Sequence, residues 1–158
     1  MEVPNDYPYT REKWPRAEKN KAAMITRLDN AVGQIVAKLK GYKMEEDTII
    51  FFTSDNGPHQ EGGNDPAFFK SAGPFRGIKR SLNEGGLRVP MIVRWTGKIK
   101  ANSVSNQAFP FWDIMPTILQ IARIPPPREI DGISLMPTLI GLPQTQQHDY
   151  LYWESHVN

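Results

Sequence analysis

Cysteine is absent from the 158 residues, which excludes a disulfide framework, a thiolate metal site and a cysteine nucleophile. Long apolar runs are also missing. Nothing approaches the roughly 20 apolar residues that span a bilayer, and the opening MEVPNDYPYT is too polar to read as a secretory leader. Net charge is small: 19 Lys and Arg against 17 Asp and Glu leave +2, too little to signal a nucleic-acid partner. Glycine and proline, by contrast, are plentiful at 12 and 14, which argues against a helical bundle and for a loop-rich enzyme scaffold. With 39% apolar and 23% charged residues, the composition predicts one soluble globular domain with its own core.

Charge is unevenly distributed. Between Lys70 and Lys100 stand eight basic residues and one acid, Glu84. Such an excess in a glycine-rich stretch attracts anions, although a solvated basic face has the same composition.

Met1 to Lys13 lacks any period and reads as an extended arm. From Pro15 to about Lys43, Met24, Leu28, Ala31, Ile35, Leu39 and Tyr42 recur at helical spacing, with Ile25, Val32 and Val36 on the same stripe. This predicts an amphipathic helix that packs on a core and stops near Gly41. Thr48–Ser54 (TIIFFTS) is apolar without alternation, as in a strand covered on both faces of a parallel sheet. The thirty-odd residues from Asp55 to Gly86 carry seven glycines, and so long a loop calls for a functional reason. Val89–Trp95 reads as a second strand. Asp113–Arg123 reads as a helix capped by Asp113, with Pro116 in its first turn. Ser134–Gly141 is a short helix ending at glycine, and Tyr150–Trp153 has the look of a strand.

Two motifs carry chemistry. Asp55 and Asn56 follow the first strand, where ligand groups collect in open α/β sheets. A carboxylate and an amide oxygen suit Ca²⁺ or Mg²⁺ and suit zinc poorly; an ordinary Asp-Asn-Gly turn has the same residues. Lys79, in the glycine-bounded loop Gly77–Gly86, can offer a compact charge to an oxyanion. His59 either faces a substrate, as a group able to work near neutral pH, or sits in solvent. His148 and His156 belong to no recognisable constellation, and Arg88 reads as an ion-pair partner.

Together, TSDNGPH, GIKRSLNEGGLRVPMIVRWTG, FWDIMPTILQIARI and DGISLMPTLIG resemble, in order and spacing, the arylsulfatase-type sulfatase family. The resemblance runs from the VPNDYPY arm to YLYWES. It implies an α/β fold, a partial alkaline-phosphatase-like sheet flanked by helices and truncated at both ends. Residues 1–149 would be the later part of the catalytic domain and residues 150–158 the start of a small C-terminal one. It also implies a Ca²⁺ centre with Asp55 and Asn56 as two of its ligands, and Lys79 contacting sulfate, with His59 a second candidate at the substrate. Asp113, Pro116 and Thr117 match a recurrent helix-start signature of structural character. Phosphoesterase relatives carry Asp-His-Gly at this strand end; Asn56 in place of that histidine favours calcium and a sulfate ester.

Family nucleophiles are formylglycines made from a C/S-x-P-x-R sequence, and no such string occurs here. The chain is therefore expected to be inactive alone, a segment whose formylglycine and remaining metal ligands lie upstream. The resemblance further implies a sulfated-carbohydrate substrate, no nucleic acid, no membrane span, and export to the periplasm or cell exterior (lysosomal in a eukaryote). Oligomeric state stays open. The rival readings are a non-catalytic module that binds sulfated glycans and a metal-dependent phosphoesterase.

Overall fold

The computed structural model describes Val3–Ser155. Its main elements are α1 (Arg16–Gly41), β1 (Ile49–Thr53), α2 (Glu84–Leu87), β2 (Met91–Trp95), α3 (Ile114–Ile121) and α4 (Met136–Leu139), with short 3-10 turns at Tyr9–Arg11, Glu61–Gly63 and Phe111–Asp113. The chain divides into two units. One holds the residues through Glu45 together with Phe51–Ile92, and the other holds Glu46–Ile50 and Val93–Trp153.

In the first unit, α1 begins directly after Pro15, and Lys38 and Lys40 in its last turn complement the helix dipole. The left-handed residue that ends it is Lys43 (φ 58°) rather than Gly41; Met44 N–H reaches back to the Leu39 carbonyl at 2.9 Å. The N-terminal arm is not simply extended. Its 3-10 turn is tied to α1 through Tyr9 and Thr26, whose hydroxyls lie 2.8 Å apart, and Arg27 donates to Asn5 Oδ1 at 2.7 Å. Tyr9, Trp14, Phe68 and Phe69 join arm and loop in an aromatic cluster, with centroids 4.7 to 5.9 Å apart. Glu18, buried in the first turn of α1, accepts the Asp65 N–H.

The apolar stripe of α1 forms as a helix face that the described residues leave exposed at Met24, Ile25, Leu28, Ile35 and Tyr42. Among the described residues, Ala23 and Leu135 are the only buried hydrophobic side chains. Among the described residues the expected core is therefore confined to a few side chains.

β1 and β2 pair as a two-stranded sheet. Thr53 Oγ1 donates to the Pro90 carbonyl at 2.8 Å and, at the other end, Trp95 Nε1 donates to the Glu46 carbonyl at 2.9 Å. That opposed order makes the pair antiparallel, which corrects the expected parallel pairing. β1 is also only half-buried among the described residues, with Phe52 exposed.

In the second unit a polar network replaces a hydrophobic centre. Asp113 gives α3 no side-chain cap, contrary to expectation. Instead its buried carboxylate accepts the Ile133 N–H at 2.8 Å and lies 2.8 Å from His148 Nε2. Thr117, fully buried, donates to the Asp113 carbonyl at 2.6 Å and accepts the Leu135 N–H at 2.8 Å. His148 thus does belong to a constellation, a structural one built on Asp113; His156 lies outside the described residues. Pro116 falls in the first turn of α3 as expected, and α4 ends before Gly141 at φ 78°. Tyr150–Trp153 forms no strand. Trp153 instead tilts against Trp112, with centroids 5.7 Å apart.

Candidate functional site

Beyond β1 the backbone turns sharply. Ser54 Oγ donates to the Asn56 carbonyl at 2.9 Å and Asn56 Nδ2 donates to the Gly57 carbonyl at 2.8 Å, leaving Asn56 Oδ1 as the open acceptor. The next contact requires glycine. Gly57 N–H donates to the Gly86 carbonyl at 2.9 Å, and a Cβ at Gly57 would lie 1.9 Å from the Gly85 carbonyl oxygen. Gly85 N–H in turn donates to the Arg76 carbonyl at 2.8 Å, where a Cβ would again collide with backbone. Finally, Lys79 N–H donates to the Pro58 carbonyl at 2.8 Å. Three loops are therefore docked main chain to main chain, and Lys79 is carried back to the exit of β1.

These loops surround an open cleft of about 650 Å³ lined by Asp55, Asn56, His59, Lys79 and Arg88, with Ser71–Phe75 as a further wall. All four sequence candidates thus line one cleft. The Asp55 carboxylate is exposed and has neither ion pair nor hydrogen bond among the described residues. Arg88 pairs with Glu84 at 2.9 Å and lies over the Phe75 ring, 5.1 Å from its centroid, as its structural reading anticipated.

The sequence reading missed Glu61 and Arg80. Glu61 Oε1 accepts from Arg80 at 2.6 Å, while Oε2 lies 3.7 Å from Lys79 Nζ and 4.0 Å from His59 Nδ1. The Arg80 guanidinium, then the Lys79 ammonium, hold the Glu61 carboxyl below its ordinary value. Arg80 adopts φ 75°, a left-handed conformation about 1–2 kcal/mol unfavourable for a non-glycine residue. Glu61 N–H donates to His59 Nδ1 at 3.0 Å, so a neutral His59 ring carries its proton on Nε2. The available signal was the His-x-Glu spacing of residues 59 and 61, which puts both groups in one turn.

Two oxygen donors at the strand exit fit a hard cation, and the unpaired Asp55 carboxylate supplies the negative charge such an ion needs. They are a partial set. Among the described residues no group of three or more His, Cys, Asp or Glu side chains is gathered for a metal, whereas calcium takes six to eight oxygens.

A family profile described as Sulfatase matches residues 1–124. N-acetylgalactosamine-6-sulfatase of Canis lupus familiaris is 38% identical over 136 residues, which cover 81% of this chain and 24% of that protein. Steryl-sulfatase of Rattus norvegicus is 37% identical over 132 residues, covering 81% and 23%. The crystal structure of Ps i-CgsB in complex with k-i-k-neocarrahexaose superposes with a TM-score of 0.75 at 28% identity, over 86% of this chain and 29% of that one. The chain thus spans about a quarter of the length of the curated relatives it matches, and its elements are part of the alkaline-phosphatase-like fold of its structural neighbours. By these matches the chain belongs to the sulfatase family.

Proposed function

We propose that this chain is the later part of the catalytic domain of an enzyme that hydrolyses sulfate esters, residues 150–158 opening a small C-terminal domain. The observation that carries the reading is the gathering of Asp55, Asn56, His59 and Lys79 in one cleft of a sulfatase-family chain. Asp55 and Asn56 would hold part of a Ca²⁺ site, and the bound ion would neutralise charge on the sulfate oxygens. The nucleophile, a formylglycine, belongs to residues outside this chain. Lys79 contributes a compact positive charge to the sulfate group, worth most where water is excluded. His59 presents Nε2–H to the cleft as a hydrogen-bond donor for the ester oxygen or a neighbouring hydroxyl.

A sulfated carbohydrate is the favoured substrate class. The open cleft offers charged and hydrogen-bonding groups, and two of the relatives above are named for, or hold, sugars. Export from the cytoplasm accompanies this reading. No helix among the described residues is long and apolar enough to cross a membrane.

The test is hydrolysis by the full-length protein of 4-nitrophenyl sulfate against 4-nitrophenyl phosphate, before and after chelation and on re-addition of Ca²⁺ or Zn²⁺. Sulfate release that is lost with chelator and restored by Ca²⁺ is expected. Preferential phosphate release would replace the reading with a phosphoesterase, and binding of sulfated glycans without turnover would replace it with a binding module. The isolated 158 residues are expected to release no sulfate.

A further inference from the structure

Glu61 is not among the cleft-lining residues, yet it touches two of them, Lys79 and His59. Its two oxygens are used differently. Oε1 is taken by the Arg80 guanidinium at 2.6 Å, and Oε2 is left toward the Lys79 ammonium at 3.7 Å. The arrangement has no obvious value for stability, since the Glu61 side chain is 47% exposed and surface ion pairs contribute little. Its partner Arg80 takes a left-handed backbone, φ 75°, a conformation found where surrounding structure fixes a site in one geometry. Lysine is a point charge on a flexible four-carbon stem. A charge that stabilises a developing anion has to stand in place beforehand, and for Lys79 the anchored Glu61 carboxylate is the group that can hold it.

Building on the sulfatase reading of the cleft, we propose that Glu61 is a positioning residue: braced by Arg80, its carboxylate fixes the Lys79 ammonium where the sulfate group binds.

A double-mutant cycle in the full-length protein, assayed on 4-nitrophenyl sulfate, tests this. Glu61→Ala is expected to lower kcat by about tenfold with KM changed less than about threefold. Glu61→Gln, which keeps an oxygen for Lys79, recovers part of the loss. In a Lys79→Ala background, Glu61→Ala should change kcat by less than about twofold, because residues acting through one another are not additive. Equal losses in both backgrounds, or wild-type kcat in Glu61→Ala, overturn the proposal. A second arm needs no turnover: acetylation of Lys79 by acetic anhydride, followed by mass spectrometry, should be several-fold faster in Glu61→Ala. If the wild type hydrolyses no sulfate ester, the functional reading fails and this arm alone decides. Faster labelling then supports the positioning, and an unchanged rate overturns it.

Discussion

The Lys79 backbone N–H donates to the carbonyl oxygen of Pro58 at 2.8 Å. Twenty-one positions of chain separate the two residues, and this one bond returns the cationic loop to the turn that follows β1. Because the tie is made by main chain, the lysine side chain is left to its ion pair with Glu61 and to the cleft it lines.

Lys79→Ala leaves that bond intact, so the loop keeps its course while the ammonium and its ion pair with Glu61 are lost. In the full-length protein kcat/KM for an aryl sulfate should fall by about 10²-fold, the scale of one preorganised charge-stabilising donor. An unaltered kcat/KM would remove Lys79 from the mechanism.

At Gly57 a single methyl group meets the Gly85 carbonyl oxygen at 1.9 Å, and neither partner is a flexible side chain. Gly57→Ala should lower stability by roughly 2–4 kcal/mol, within the range of severe single substitutions, as read from urea unfolding of the full-length protein. A loss under about 0.5 kcal/mol, the scale of ordinary surface changes, would show that the loops are not docked this closely.

Asp113 serves the Ile133 N–H and His148 at once. Asp113→Ala leaves the first a half-buried donor without acceptor, for a loss of about 1–3 kcal/mol. Thr117→Val keeps the volume but removes the hydroxyl that bridges the Asp113 carbonyl and the Leu135 N–H, for about 1–3 kcal/mol. The two losses should not add, since the residues share one network. Full additivity in unfolding measurements would contradict the network.

Glu61 titrates below 4.5, its ordinary value, because Arg80 and then Lys79 favour the carboxylate. A depressed folded-state pKa means that its ion pairs favour the folded state above about pH 4.5 and that this contribution disappears as pH falls through the lower folded value. Carbon-13 NMR of the Glu61 carboxyl should place its midpoint under 4.5 and move it upward in Arg80→Gln. A midpoint that stays put in Arg80→Gln would show that Arg80 is not the main cause.

Leu28 and Ile35 are exposed on α1. Leu28→Glu with Ile35→Glu should raise the soluble fraction of the isolated 158 residues. The same pair should prevent folding of the full-length protein, where the stripe is expected to be covered. Normal folding of the doubly substituted full-length protein would show that the stripe stays uncovered there too.

What the sequence disclosed follows from range of interaction. α1, both strands and the strand-exit pair Asp55 and Asn56 were legible because periodicity and neighbouring residue types decide them. Lys79, a weak signal on its own, was picked out through the family resemblance of its loop, and it lines the same cleft as Asp55 and Asn56. The partners of Asp113 were not: Ile133 and His148 lie 20 and 35 positions away, and nothing local separates a helix cap from a buried hub. The antiparallel pairing of β1 was hidden for the same reason, since an apolar run records burial and not strand direction. Glu61 was overlooked because its partners Lys79 and Arg80 lie far along the chain, Arg80 19 positions away, and nothing local joins them.

The docking of Gly57 against Gly85 and Gly86 has a consequence for how such a site can diverge. Main-chain contacts are indifferent to what neighbouring side chains become, so rim side chains such as Ala72 and Pro74 can be exchanged while Asp55, Asn56 and Lys79 keep their positions. On the proposed sulfatase reading, selectivity would then drift from one ester to another on an unchanged chemical platform.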